Sequence, residues 1–476
     1  MQNTQKQIRT RYAPSPTGPL HMGGVRTALF NYLFSKKEKG IFILRIEDTD
    51  KARSKPEWEK DITENLSWLG LQWDEFYRQS ERTAIYKKYL EQLLEQGKAY
   101  YCFCKPEELE AIRQDQLSRG VIPHYTGKCR GLGKEECESR LKKGEAKVIR
   151  FIGEKKTITF DDLIRGKISF DTELLGDIVI AKDLETPLYN FSVVVDDYEM
   201  NITHVIRGED HIPNTPKQIL LQEALGLPRP LYAHLPLLLG EDRTKLSKRH
   251  GDQSVARYRT QGYLPEAVIN FLALLGWNPG TEEEIFSIEE LIKEFSLERV
   301  QKAGAVFNEK RLNWLNASYI RKKSPSELTQ LVMPYLPQTG LEIKKLEQII
   351  ALYQERMQNL SEIAALADYF FVEQLDYPKE LLTWKNSTPR KTKEALEKLE
   401  TILSAVSEKD WERDTLANIL LGEAEKEKDR GYLLWPLRTA LTGKQASAGP
   451  FEVATVLGKE KTLERIKEAQ QKLTAI

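Results

Sequence analysis

Apolar positions in the first eighty residues change period twice. Gln7 to Pro14 reads as a short strand ending in the turn Pro14-Ser-Pro-Thr-Gly-Pro-Leu-His-Met-Gly-Gly24. Val25, Leu29, Tyr32 and Leu33 then recur at three- and four-residue spacing, which predicts an amphipathic helix, with Gly40 expected as its C-cap. Ile41 to Ile46 is a continuous apolar run, the pattern of a strand buried on both faces of a parallel sheet. Strand, helix and strand make a βαβ unit, and such sheets place ligands at the carboxyl ends of their strands.

From Ala99 to Thr186 the pattern breaks into short β-like runs, Lys147 to Ile152 and Asp177 to Ala181, separated by Gly and Asp. An α+β domain inserted into the sheet is expected there. Phe191 to Val195 is then expected to resume a buried strand. After Leu264 helical spacing dominates. Ser287-x-x-Glu290 and Ser324-Pro325-x-Glu327 are capping boxes, and Leu396, Leu399 and Leu403 keep the helical period. The expected fold class is α/β, with a doubly wound parallel-sheet (Rossmann-type) domain over 1–98 and 187–240. The inserted domain spans 99–186, a loop and helical domain 241–323, and an all-helical region 324–476.

Composition narrows the class. With 476 residues, about three domains are the starting expectation. Seventy-one Lys+Arg balance 71 Asp+Glu, which excludes a uniformly basic nucleic-acid coat but not a local basic surface. Hydrophobic residues at 40% and charged residues at 30% exclude global disorder. The polar stretch Met1 to Arg11 lacks a signal core, and no run approaches ~18 apolar residues, so a cytosolic (cytoplasmic) multidomain enzyme with no membrane span is expected. Four cysteines are too few for a disulfide framework, so they point to a metal site or to buried reduced thiols.

Two segments carry phosphate chemistry. In Pro14 to Gly24, glycines let a flat base and its ribose approach the backbone, and a helix N-terminus offers free N–H groups to an anion. His21 adds a neutral donor. Alone, His-x-Gly-Gly is more often an ordinary βα turn; the full Ser-Pro-Thr-Gly-x-x-His-x-Gly string at a first βα turn is specific. In Lys245-Leu-Ser-Lys-Arg249, Lys245, Lys248 and Arg249 can converge on one polyphosphate, although short basic loops usually face solvent. Paired, the segments suit attack of a carboxylate on the α-phosphorus of ATP. No Gly-x-Ser-x-Gly elbow and no Gly-x-x-x-x-Gly-Lys-[Ser/Thr] loop is present, so alignment and electrostatic stabilisation would carry the reaction.

These segments resemble the two signatures of class I aminoacyl-tRNA synthetases. Arg11-Tyr-Ala-Pro-Ser-Pro-Thr-Gly18, Phe42-Ile-Leu-Arg-Ile-Glu-Asp-Thr-Asp50, Leu188-Tyr-Asn190 with Val194-Val-Asp-Asp197, and Ile206-Arg-Gly-Glu-Asp-His211 resemble bacterial glutamyl-tRNA synthetases, as do Pro436-Leu-Arg-Thr-Ala-Leu-Thr-Gly443 and Pro450-Phe-Glu-Val453. The resemblance implies a glutamate–tRNA ligase using ATP with Mg2+, an acceptor-end-binding inserted domain, a stem-contact domain and an anticodon-binding tail. It also implies that bound tRNA precedes activation, and that tRNA(Glu), with tRNA(Gln) as a second candidate, and L-glutamate are partners of a monomer. Pro14, Gly18, His21, Gly23, Gly24 and Lys248 would contact ATP. Arg11, Ala13, Ser15, Glu47, Tyr189 and Arg207 would line the glutamate site.

On the residues themselves, an arginine fork suits a side-chain carboxylate and Glu47 an ammonium. A purely structural Arg11–Glu47–Arg207 salt-bridge network is the alternative. Cys102-Phe-Cys104 with Cys129 has spacing compatible with structural zinc (Zn2+). Gly131 stands where many relatives place a histidine. Tyr125, in a Tyr-x-x-x-Cys spacing resembling that of a related shortened synthetase, is the preferred fourth ligand, with His124 and Cys137 as rivals. Basic clusters after Ser324, with Trp384, Trp411 and Trp435 among them, suit a single-stranded RNA reader. Arg356, Arg438 and Lys444 are candidate contacts. Competing readings are a glutaminyl-tRNA synthetase, a glutamyl-Q tRNA synthetase (disfavoured by the long tail), a silent tRNA-binding paralogue and a small-molecule nucleotidylyltransferase.

Overall fold

The structure is a computed structural model that describes residues 7–246, 251–338 and 340–474. The chain forms two compact units, Met1–Arg259 with Pro265–Leu312, and Thr260–Leu264 with Asn313–Ile476.

The first unit opens with β1 (Arg9–Tyr12), α1 (Met22–Lys37), β2 (Ile41–Ile46), α2 (Pro56–Trp68) and β3 (Glu75–Arg78). The three strands pair in parallel, in the order β1-β2-β3, as βαβ crossovers require. Val25, Leu29 and Leu33 are buried along α1, as their spacing predicts, and Tyr32 is half-buried. Gly40 does not cap this helix: the cap is Glu38, and the left-handed residue is Lys39, at φ 52°. Gly40 is instead a close approach, because a Cβ there would lie 2.3 Å from the Ile8 carbonyl oxygen.

The helix α3 (Thr83–Glu95) leads to β4 (Ala99–Cys102), then α4 (Pro106–Ser118), α5 (Lys134–Lys142) and β5 (Val148–Phe151). The hairpin β6 (Thr157–Asp162) and β7 (Gly166–Asp171) follows, then β8 (Ile178–Asp183) and β9 (Thr186–Pro187). Strands β4-β5-β8-β9 make one antiparallel sheet. The hairpin goes elsewhere: Asp162 of β6 pairs with Tyr232, outside this sheet.

The expected strand at Phe191 to Val195 is a helix, α6 (Tyr189–Glu199). Phe191, Ser192, Val193, Val194, Val195, Asp196 and Asp197 are all buried, so the run is apolar because its helix is enclosed. A short apolar run does not distinguish these cases by period. Next come β10 (His204–Gly208), α7 (Thr215–Leu225) and β11 (Leu231–Leu235), with β10 and β11 parallel. Thr203 N–H donates to Arg9 O, and Arg9 N–H to Thr203 Oγ1, which brings the start of β10 to β1. A crevice therefore opens beside the carboxyl ends of β1, β2 and β10, the place doubly wound sheets reserve for ligands. Phe191, Val194, Val205, Ile219 and Tyr232 form the core beneath it.

The second unit is helical. Ser324 closes its capping box with Glu327, and Leu396, Leu399 and Leu403 are buried on the helix Pro389–Ala405. Trp384, Trp411 and Trp435 serve packing. Trp384 and Trp435 lie with ring centroids 4.8 Å apart, and Trp411 donates to Ala454 O. Arg356 and Arg438 both donate to Ser447 O, while Lys444 pairs with Asp368. Among the described residues no helix is long and apolar enough to cross a membrane.

Candidate active site

A cavity of about 1410 Å³ occupies the crevice. Its lining brings together residues from distant parts of the first unit: Arg11, His21, Glu47, Tyr189, Arg207 and Lys245. Ala13, Ser15, Gly18, Gly23 and Gly24 also line it. Pro14 does not; its carbonyl accepts the Glu47 N–H at 2.9 Å and so holds the ends of β1 and β2 together. Lys248 and Arg249 lie outside the described residues.

At one end, His21 is the N-cap of α1, and its Nδ1 accepts the Gly24 N–H at 3.1 Å. That bond places the ring proton on Nε2, which is left free to donate. The imidazole is held below its ordinary pKa, first by desolvation and then by Lys245, so it is neutral. Gly24 is required here: a Cβ would sit 2.5 Å from the Tyr12 hydroxyl, and Tyr12 is buried. The segment from Gln253 to Val255 is strapped onto this turn, because Met22 N–H donates to Gln253 O and Val255 N–H to Leu20 O. Lys245 stands at the rim with its Nζ 3.4 Å from Asp210.

At the other end the charges are buried. Arg11 on β1 pairs with Asp197 of α6 at 3.0 Å, and Arg45 on β2 reaches the same carboxylate at 2.8 Å. Arg45 also donates to Glu47 at 3.2 Å. Asp196 accepts from Gln79, Arg82 and Tyr86. Burial works to raise the Asp197 pKa, but Arg11 and Arg45 outweigh it and hold the carboxyl below its usual range. Glu47 goes the other way: burial pushes it up to about 7, with Arg45 and Arg11 opposing. Arg45, Asp196 and Asp197 stand in two of the strings that carry the family resemblance, but the sequence alone assigns none of them a role of its own.

Arg207 on β10 is 5% exposed. Its Nη2 donates to Thr215 Oγ1 at 2.8 Å and its Nε to His234 Nε2 at 3.2 Å. Its Nη1 is buried and has no hydrogen-bond partner among the described residues. A buried guanidinium edge without a partner costs energy unless a ligand supplies one. A carboxylate fits that edge, and the neighbouring Glu47 fits an ammonium. Tyr189 closes the wall, its hydroxyl 3.0 Å from His211 Nδ1.

The cysteine cluster is a separate site in the inserted segment. Sγ atoms of Cys102, Cys104 and Cys129 lie within 4.8 Å of one another. The Tyr125 hydroxyl is 3.3 Å from Cys102 Sγ and 3.4 Å from Cys104 Sγ, and the Arg150 guanidinium lies over its ring. Tetrahedral zinc at Zn–S of ~2.3 Å needs sulfurs roughly 3.8 Å apart, and Cys104 to Cys129 is 3.6 Å. The donor set fits that ion. Cys137 stands outside the group, and His124 turns its Nδ1 to Ile122 O.

Similarity to known proteins identifies the family. The family model described as tRNA synthetases class I (E and Q), catalytic domain, matches residues 7–314, and an anticodon binding domain model matches 327–470. The glutamate–tRNA ligase of Aquifex aeolicus (strain VF5) is 48% identical, covering 98% of this chain and 100% of that protein. That of Carboxydothermus hydrogenoformans is 45% identical, covering 96% and 99%. A crystal structure of a glutamate tRNA ligase from Elizabethkingia meningosepticum CCUG26117 in complex with its amino acid matches with a TM-score of 0.88 at 37% identity, over 98% of this chain and 99% of that one. Relatives this similar over nearly the full length leave one assignment: the chain belongs to the glutamate–tRNA ligases, within the class I tRNA synthetases.

Proposed function

We propose that this chain joins glutamate to ATP as glutamyl adenylate, releasing pyrophosphate, and then transfers the glutamyl group to the 3′ end of tRNA(Glu), releasing AMP. The observation that carries the reading is Arg207, which lines the cavity that also holds the His21 turn and whose buried Nη1 has no hydrogen-bond partner among the described residues. Glutamate's side-chain carboxylate meets Arg207, and its ammonium meets Glu47. The α-carboxylate is then left facing the nucleotide end. As pyrophosphate departs, negative charge grows beside His21 Nε2–H and Lys245, with Lys248 as the further cation expected to meet it, and Mg2+ would add positive charge there. Positioning and electrostatics suffice, since no protein nucleophile is needed.

Glutamine presents a neutral amide where a carboxylate is needed. Arg207 then stays buried without a counter-charge, and the amide is rejected. Zinc held by Cys102, Cys104, Cys129 and Tyr125 would pin the inserted segment 99–186 at the acceptor end of the RNA, and the helical region 324–476 would take the anticodon. Amino-acid-dependent pyrophosphate exchange by purified protein with ATP and tRNA tests this. Exchange with glutamate and little with glutamine is expected. Equal exchange with both would overturn the assignment.

A further inference from the structure

Two buried residues that do not line the cavity determine how Arg207 is held. Asp162 ends β6 in the inserted segment and is 4% exposed; His234 on β11 is 0% exposed. Asp162 Oδ1 accepts the N–H groups of Ile164 at 3.0 Å and Arg165 at 2.8 Å. Its Oδ2 lies 2.6 Å from His234 Nδ1 and 3.1 Å from the His234 N–H. On the far side of the ring, His234 Nε2 faces Arg207 Nε at 3.2 Å and the Thr215 hydroxyl at 3.2 Å. Arginine Nε can only donate, so His234 Nε2 must accept, and the single ring proton sits on Nδ1. Burial, with Arg207, keeps this imidazole below its ordinary pKa although Asp162 pulls it up, so the acceptor is present.

We infer that Asp162 and His234 are positioning residues for glutamate recognition: the carboxylate fixes the imidazole tautomer, and the tautomer locks the Arg207 fork with Nη1 left for the substrate. This rests on Arg207 as the partner of the glutamate side chain. It also gives the β6–β7 hairpin a purpose. A strand from the inserted segment reaches across to β11 and delivers one carboxylate under the amino-acid site.

The consequence is sharp for Asp162→Asn. The Ile164 and Arg165 N–H groups hold an oxygen at Oδ1, so the amide NH2 falls at Oδ2, where it faces the single His234 N–H donor to donor and donates to His234 Nδ1. The ring proton moves to Nε2, where it meets the Arg207 Nε–H donor to donor. His234→Gln is the conservative rescue, because its amide oxygen reaches the Nε2 position and accepts from Arg207 without a tautomer to set. His234→Asn reaches only the Nδ1 position and leaves Arg207 Nε without an acceptor.

The test is KM for glutamate and for ATP in pyrophosphate exchange with full-length protein and tRNA, with urea midpoints as a folding control. Asp162→Asn and His234→Asn should each raise the glutamate KM about tenfold or more, the size of one lost hydrogen bond to a charged group, with the ATP KM within about twofold. His234→Gln should stay within about threefold of wild type, alone and combined with Asp162→Asn. An unchanged glutamate KM in Asp162→Asn, an equal rise in both KM values, or His234→Gln as impaired as His234→Asn would overturn the inference. Should Asp162→Asn not fold, the His234 pair decides by itself. Wild-type protein silent with glutamate would refute the functional reading and this inference with it. Active wild type with an unchanged glutamate KM in Asp162→Asn refutes the inference alone.

Discussion

Arg11 on β1 and Arg207 on β10 line one pocket, both buried, and on sequence both suit a carboxylate. The structure separates them. Arg11 pairs with Asp197, so its charge is already answered by the fold. Arg207 is held by Thr215 and a neutral His234, so its orientation is fixed while its charge stays available. A guanidinium tied by an anion has its charge met within the protein, whereas one tied by neutral acceptors can still meet the charge of a ligand. Burial alone would not tell them apart, since both are nearly inaccessible.

The largest expected effect follows from removing the available charge. Arg207→Gln should cost roughly 3–4 kcal/mol in kcat/KM for glutamate, as when a buried charge loses its partner. The ATP KM should not change, and exchange kinetics would check both. Lys248→Ala should cost a similar amount in kcat, about 3–4 kcal/mol, if it meets the departing pyrophosphate, with tRNA binding nearly intact in a filter assay. Equal loss of exchange and tRNA binding would refute that role.

Arg11→Gln sharpens the contrast. Asp197 would keep Arg45 but lose one partner, so a stability loss of about 1–3 kcal/mol is expected in urea unfolding, with a smaller effect on the glutamate KM than Arg207→Gln gives.

Glu47 gives the pH dependence. Binding an ammonium needs the carboxylate, so the glutamate KM should rise up to about tenfold per unit as pH falls below about 7. Stability has the opposite sign. A folded pKa above the ordinary 4.5 means a proton held by the native protein and not by the unfolded chain. That contribution is complete below the unfolded pKa and is lost as pH rises through about 7. Urea midpoints of ligand-free protein at pH 6 and pH 8 would measure it. The smallest effect on the pocket belongs to the cysteine cluster: a chelator should loosen residues 102–142 in hydrogen exchange and leave the glutamate KM unchanged.

Much of the cavity is legible in sequence because close backbone approach restricts residue choice. Gly24 must be small beside Tyr12, and His21 caps the helix it precedes, so the turn is written in adjacent residues. The supports are not. Arg45 meets Asp197 across 152 residues and His234 meets Asp162 across 72, and no local pattern marks such pairs. Asp196 and Asp197 even hide in the run whose apolar start suggested a strand, because a fully enclosed helix has lost the polar face that gives it a period.

The most direct measurement is the ratio of kcat/KM for glutamate over glutamine in wild type, Arg11→Gln and Arg207→Gln. The ratio should collapse by about a hundredfold or more in Arg207→Gln and hold within about tenfold of wild type in Arg11→Gln. A ratio in Arg207→Gln equal to wild type would contradict the assignment of the free guanidinium edge to the substrate.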